Sequence, residues 1–152
     1  MRALAIVLSA SLLGMSGCSA SAFFSDSTPA DDAQKLQGTW RLTGATYDGE
    51  SIFDDVRLTF DGDQYIVEVH GVQEKSQFKL GTGGRDTIWV KHHDNPLASQ
   101  GFYGGTLTGI YQLSGDHLRI GYDLTGRQYP RSFTAKKGSR QVVNEFVREK
   151  RR

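Results

Sequence analysis

The residues of this 152-residue chain that could do chemistry are four histidines, one cysteine and a few adjacent carboxylates, and their spacing limits what they can do together. His92-His93-Asp94 is the densest group. Neighbours on a strand point to opposite faces, so His92 and His93 do not readily share a metal ion. No further ligand stands at the spacing a tetrahedral site requires. His70 and His117 each flank a turn and read as exposed. Asp61-Gly62-Asp63 lacks the additional oxygen ligands and downstream Glu of a calcium loop. Asp54-Asp55 reads as a solvated entry to a strand. Gly81-Thr82-Gly83-Gly84-Arg85 is glycine-rich, but no helix follows to direct N–H groups at a phosphate. No nucleophile elbow and no Ser/His/Asp order stands out. The expectation is a protein that is not an enzyme, with no metal and no cofactor.

Cys18 has a different meaning, set by what precedes it. Arg2 gives a short positive start, Ala3 to Leu13 is an almost unbroken apolar run, and Met15-Ser16-Gly17 leads into the cysteine. The run is shorter than the roughly 20 apolar residues of a membrane span, and its layout is that of a secretory signal with small residues at the cut. Ser-Gly-Cys, with Met15 where Leu is usual, resembles the lipobox of bacterial lipoproteins. The resemblance implies a signal peptide over residues 1–17 and a lipidated Cys18 as the new N-terminus. The partner it implies is a membrane, reached through that anchor, and the location is the extracytoplasmic cell envelope, on the periplasmic face or outer membrane. Residues 18–33, rich in Ser, Ala and Asp with Pro29, read as a flexible tether.

Removing residues 1–17 takes away Arg2, one of the 18 basic residues, and none of the 17 acidic ones, so the mature chain is neutral. That balance gives no support to nucleic-acid binding, which leaves a basic footprint. With Cys18 spent on lipid, no thiol remains for a disulfide, a nucleophile or a metal. Two Trp, eight Phe and six Tyr supply the means to stand on packing instead.

The elements that position these residues are strands. After a helical turn at Asp31 to Leu36, capped by Asp31 or Asp32, alternation with period two begins. Trp40, Leu42, Gly44 and Thr46 share one face, followed by Val56/Leu58/Phe60 and Tyr65/Val67/Val69. Phe78/Leu80, Ile88/Val90, Leu107/Gly109/Tyr111/Leu113 and Leu118/Ile120/Tyr122 continue the pattern, then a strand at Phe133 and one through Val142, Asn144 and Phe146. Phe60-Asp61-Gly62-Asp63 and Leu113-Ser114-Gly115-Asp116 are near copies, each closing a hairpin. Eight or nine short antiparallel strands in a meander imply a closed barrel or a sandwich. An all-β antiparallel up-and-down barrel of about eight strands over residues 34–150 is favoured, since closure leaves no strand edge exposed.

Leu36-Gln37-Gly38-Thr39-Trp40 resembles the Gly-x-Trp opening of lipocalins. With Leu58 to Asp63, Phe78 to Leu80, Gly109 to Leu118 and Pro130 to Phe133 in that order, residues 34–148 resemble a bacterial, planctomycete-type lipocalin-like domain family to which no activity is attached. Tyr129-Pro130 stands where that family often has Arg-Pro, and Gly121 where it often has Cys. The resemblance implies that Arg148 stacks on Trp40 at the closed end as a structural pair. Tyr65, Trp89, Tyr111 and Tyr122 are candidates for lining an interior, and Phe102 and Tyr103 lie in the long glycine-rich loop Pro96 to Gly105. The expected function is a lipid-anchored barrel holding a small apolar or amphipathic ligand. The alternative is a protein-binding module, such as an envelope adaptor or hydrolase inhibitor, using that loop.

Overall fold

A capped helix forms the base of the molecule. The computed structural model describes residues 28–52, 54–82, 86–92 and 105–150. Helix α1, Pro29–Leu36, starts with proline at its first position and Thr28 as N-cap. Thr28 Oγ1 accepts from the Asp31 N–H at 3.3 Å, and the Asp31 carboxylate accepts from the Thr28 N–H at 3.2 Å, a reciprocal capping box. The hydroxyl and N–H of Thr28 hold the Asp31 carboxyl below its ordinary pKa. The expected cap at Asp31 or Asp32 is therefore displaced to Thr28, because Pro29 fixes where the helix can begin. α1 also crosses the expected tether–domain boundary between residues 33 and 34, and its Asp32 and Leu36 are buried.

The strands are β1 Gly38–Tyr47, β2 Glu50–Ile52, β3 Val56–Asp61, β4 Gln64–Val69, β5 Val72–Thr82, β6 Asp86–His92, β7 Thr106–Ser114, β8 His117–Asp123 and β9 Gln141–Arg148. They pair antiparallel in the order β2-β1-β3-β4-β5-β6-β7-β8-β9, and β1 also pairs with β9. Eight strands thus close into a barrel, with β2 added along the far end of β1. Asp61 to Gln64 and Ser114 to His117 turn the β3–β4 and β7–β8 hairpins, with Gly62 at φ 61° and Gly115 at φ 58°.

Two local features depart from the sequence expectation. The β1–β9 register shifts between Leu42 and Gly44. The extra residue of a bulge reverses the alternation, so Trp40, Leu42, Ala45 and Tyr47 face inward while Gly44 and Thr46 face out. Leu124 to Arg140 contains no strand. Beyond Leu124 it runs as a strap over the outer face, where Phe133 lies against Gly121 and under the Arg119 guanidinium, 5.2 Å from the ring centre. The strap is tied down through backbone and side chain. Thr108 Oγ1 donates to Gln128 O at 2.7 Å, Gly49 N–H to Ala135 O at 2.8 Å, and Gly138 N–H to Asp48 Oδ1.

The barrel is solid at one end. Leu36, Trp40, Phe60, Phe78, Ile88, Tyr111 and Ile120 are buried in one cluster, with Phe60 edge-on to Phe78 at 4.9 Å. Trp40 and Arg148 are directly opposite in the β1–β9 ladder, and the guanidinium lies 4.0 Å over the indole. Trp40 Nε1 donates to Leu36 O at 2.8 Å. Arg148 donates to Gln37 O at 2.8 Å, to Lys35 O, and to Asp116 at 3.2 Å. The cation thus satisfies carbonyls at the C-terminal end of α1 that no helical N–H reaches. Replacing Arg148 with Met keeps the apolar stem but removes these bonds. We expect R148M to lower stability by about 1–3 kcal/mol, read as a shift of the urea midpoint at constant slope.

Candidate functional site

Above this floor the inward residues become smaller or polar, and the barrel is hollow. The interior cavity has a volume of about 310 Å³, the low end of the range for small-molecule sites. Leu42, Val56, Leu58, Val67, Leu107, Leu124, Val142 and Phe146 make most of its wall, and Ile52 and Asp54, both partly exposed, mark its rim. Asp54 is paired with His70 Nε2 at 2.9 Å.

A polar cluster interrupts the apolar wall. The β4–β5–β6 ladder sets Tyr65 opposite Ser76 and Ser76 opposite His92, with Glu74 one inward position further along β5. His92 Nδ1 is hydrogen-bonded to Glu74 Oε1, and Ser76 Oγ is 2.8 Å from the same nitrogen. Both side chains are buried, 6 % and 2 % exposed, and among the described residues His92 Nε2 has no hydrogen-bond partner. Because Glu74 and Ser76 both address Nδ1, the trio differs from a nucleophile triad, in which acid and hydroxyl bind opposite nitrogens. Across the cavity, Tyr122 Oη donates to Tyr65 Oη at 2.9 Å. Burial raises the pKa of both phenols above the ordinary tyrosine value, the Glu74 charge adding to the effect at Tyr65 and the Tyr65 hydroxyl to that at Tyr122.

Gly109 makes this arrangement possible. It is inward on β7, opposite Tyr122, and a Cβ there would sit 2.7 Å from the Tyr122 ring and 2.8 Å from Gly121 O. Only the missing side chain lets the ring lie across the strand.

The other expected site residues divide three ways. Tyr65 and Tyr122 line the cavity. Tyr111 does not: it belongs to the packed end, where its hydroxyl donates to Asp32 at 2.9 Å and burial raises its pKa. Trp89 is a second correction. Ile88 and Val90 are fully buried inside, so their neighbour on β6 takes the outer face, where it is half-buried. Cys18, Phe102 and Tyr103, with His93, Asp94 and Gly83 to Arg85, lie outside the described residues. Glu74, Ser76 and His92 do not stand out in the sequence as a group. Counting back in twos from Phe78 gives Ser76 and Glu74, and forward from Val90 gives His92, so parity carries the signal. Among the described residues, no group of three or more His, Cys, Asp or Glu is placed to hold a metal ion. Comparison with protein-family models, curated proteins and solved structures finds no match.

Breaking one partner of a buried ion pair strands the other, whereas replacing both removes the problem. We expect His92→Leu to destabilise by about 3–5 kcal/mol and His92→Leu with Glu74→Leu by clearly less, in a double-mutant cycle followed by urea unfolding. The phenols give a pH signature. A folded-state pKa raised above the unfolded value contributes stability in full below the ordinary value of 10.0, and this is lost as pH rises toward the folded value. Stability therefore falls above about pH 10 by about 1.4 kcal/mol per pH unit for each such phenol. Tyr65→Phe and Tyr122→Phe together flatten that decline in urea titrations from pH 8 to 11.

Proposed function

We propose that this protein is a membrane-anchored extracytoplasmic lipoprotein whose barrel binds a small apolar or amphipathic ligand. The single observation that carries the ligand reading is the division of the interior. Half of it is filled to the density of a core by Trp40, Phe60, Phe78 and their neighbours, while the other half leaves about 310 Å³ between mostly aliphatic walls. An eight-stranded barrel has just enough interior to be filled completely or to hold one small molecule. Dispersion contacts forfeited around an empty apolar space destabilise the fold, so a retained hollow points to an occupant. The anchor rests on the leader before Cys18 and its resemblance to a lipobox. The resemblance of residues 34–148 to lipocalin-like domains supports the same reading.

Two experiments test it. Substituting Val67, a half-buried wall residue, with Trp should abolish binding of an uncharged naphthylamine dye while leaving the far-ultraviolet dichroism intact; unchanged dye binding would remove the cavity from the reading. Cys18→Ala should abolish incorporation of an alkyne-tagged palmitate and move the protein from the membrane to the soluble fraction. If labelling survives this substitution, the anchor is elsewhere.

A further inference from the structure

We infer that the cavity selects a ligand with an uncharged hydroxyl head, a single alcohol on an apolar body, and rejects the corresponding carboxylate. This rests on the cavity being a ligand site and adds what the head group must be.

The argument begins with charge. Glu74 and Asp54 are acidic residues on the lining, and among the described residues no Lys or Arg joins them. Asp54 is partnered at the rim by His70. Glu74 is 2 % exposed, and the one basic side chain paired with it among the described residues is His92. An ionised fatty acid would place a second carboxylate against one imidazole in an apolar enclosure. One of the two anions would then be buried without a counter-charge, which is the arrangement buried sites avoid most strongly.

Hydrogen-bond supply points the same way. Nδ1 is occupied by Glu74 and Ser76, and Nε2 is buried without a partner among the described residues. That nitrogen is a donor when the ring is imidazolium and an acceptor when the ring is neutral. A hydroxyl, which both donates and accepts, satisfies it in either state. A carboxylate can only accept, and an ammonium can only donate. The tyrosine pair also leaves something over: two hydroxyls share one hydrogen bond, so among the described residues one O–H remains free to donate. The wall thus offers a donor together with a group of either polarity, against a background without fixed positive charge. Those are the complements of an alcohol.

The test is displacement of the uncharged naphthylamine dye from the purified full chain at pH 7.5 by 1-decanol, decanoate and decylamine, three ligands that differ in the head alone. We expect 1-decanol to displace at a concentration about tenfold or more below the other two, the fold-change that one unsatisfied buried polar group produces. Glu74→Gln removes the charge and keeps the shape. It should bring decanoate to within about threefold of 1-decanol, a gain that misfolding cannot produce. Dye binding with decanoate or decylamine equal to or better than 1-decanol overturns the head-group inference while leaving the cavity reading intact. So does an unchanged ratio in Glu74→Gln. Failure of the dye and all three ligands to bind overturns both.

Discussion

Closure of the barrel along β1 and β9 depends on one cation. The Arg148 side chain leaves the last strand, crosses the indole of Trp40 in the first, and ends on the carbonyls of Lys35 and Gln37, while its Nε reaches Asp116 at the β7–β8 turn. Four parts of the chain meet at one guanidinium: the helix, the first strand that follows it, a hairpin turn and the final strand. The planar fork suits this role, since it can stack and donate in several directions at once. Lysine, with a point charge and no face, would keep at most one of these contacts. With the base fixed, hydrophobic material collects above it, and the barrel runs out of bulky inward side chains about halfway up.

The upper half of the barrel is governed by small decisions about parity and volume. The bulge between Leu42 and Gly44 brings Ala45 and Tyr47 into the lining in place of Gly44 and Thr46. Gly109 yields its space to Tyr122, whose hydroxyl meets Tyr65 across the interior. Glu74, Ser76 and His92 occupy inward positions that aliphatic and aromatic residues hold lower down on the same two strands. The packed half and the hollow half of the barrel therefore differ at only a handful of rungs. Each difference leaves the ladder hydrogen bonds untouched.

The barrel itself is legible in the sequence because its signal is repetitive. Period-two alternation in strand after strand, two near-identical turns and a Trp near the start constrain the topology many times over. The departures come where a single residue decides. A bulge adds one residue without any compositional mark, so alternation alone gives the second half of β1 the wrong face. Phe133 is an aromatic residue shortly after Pro130, which resembles an edge strand, yet the strap takes its hydrogen bonds from turns and side chains instead. Trp89 draws notice by its size, against the parity of Ile88 and Val90. The Glu74–His92 contact joins residues 18 apart; neither looks unusual alone, and the β5–β6 register that brings them together carries no mark in either strand's composition.

The short strand β2 carries a consequence for behaviour in crowded conditions. Every other strand of the described sheet has a neighbour on each side along at least part of its length, and Glu50–Ile52 is the one strand that ends the sheet. Three residues, one of them acidic, make a poor template for adding a foreign strand. Many copies concentrated side by side on one surface would thus lack the docking edge from which cross-β stacks propagate.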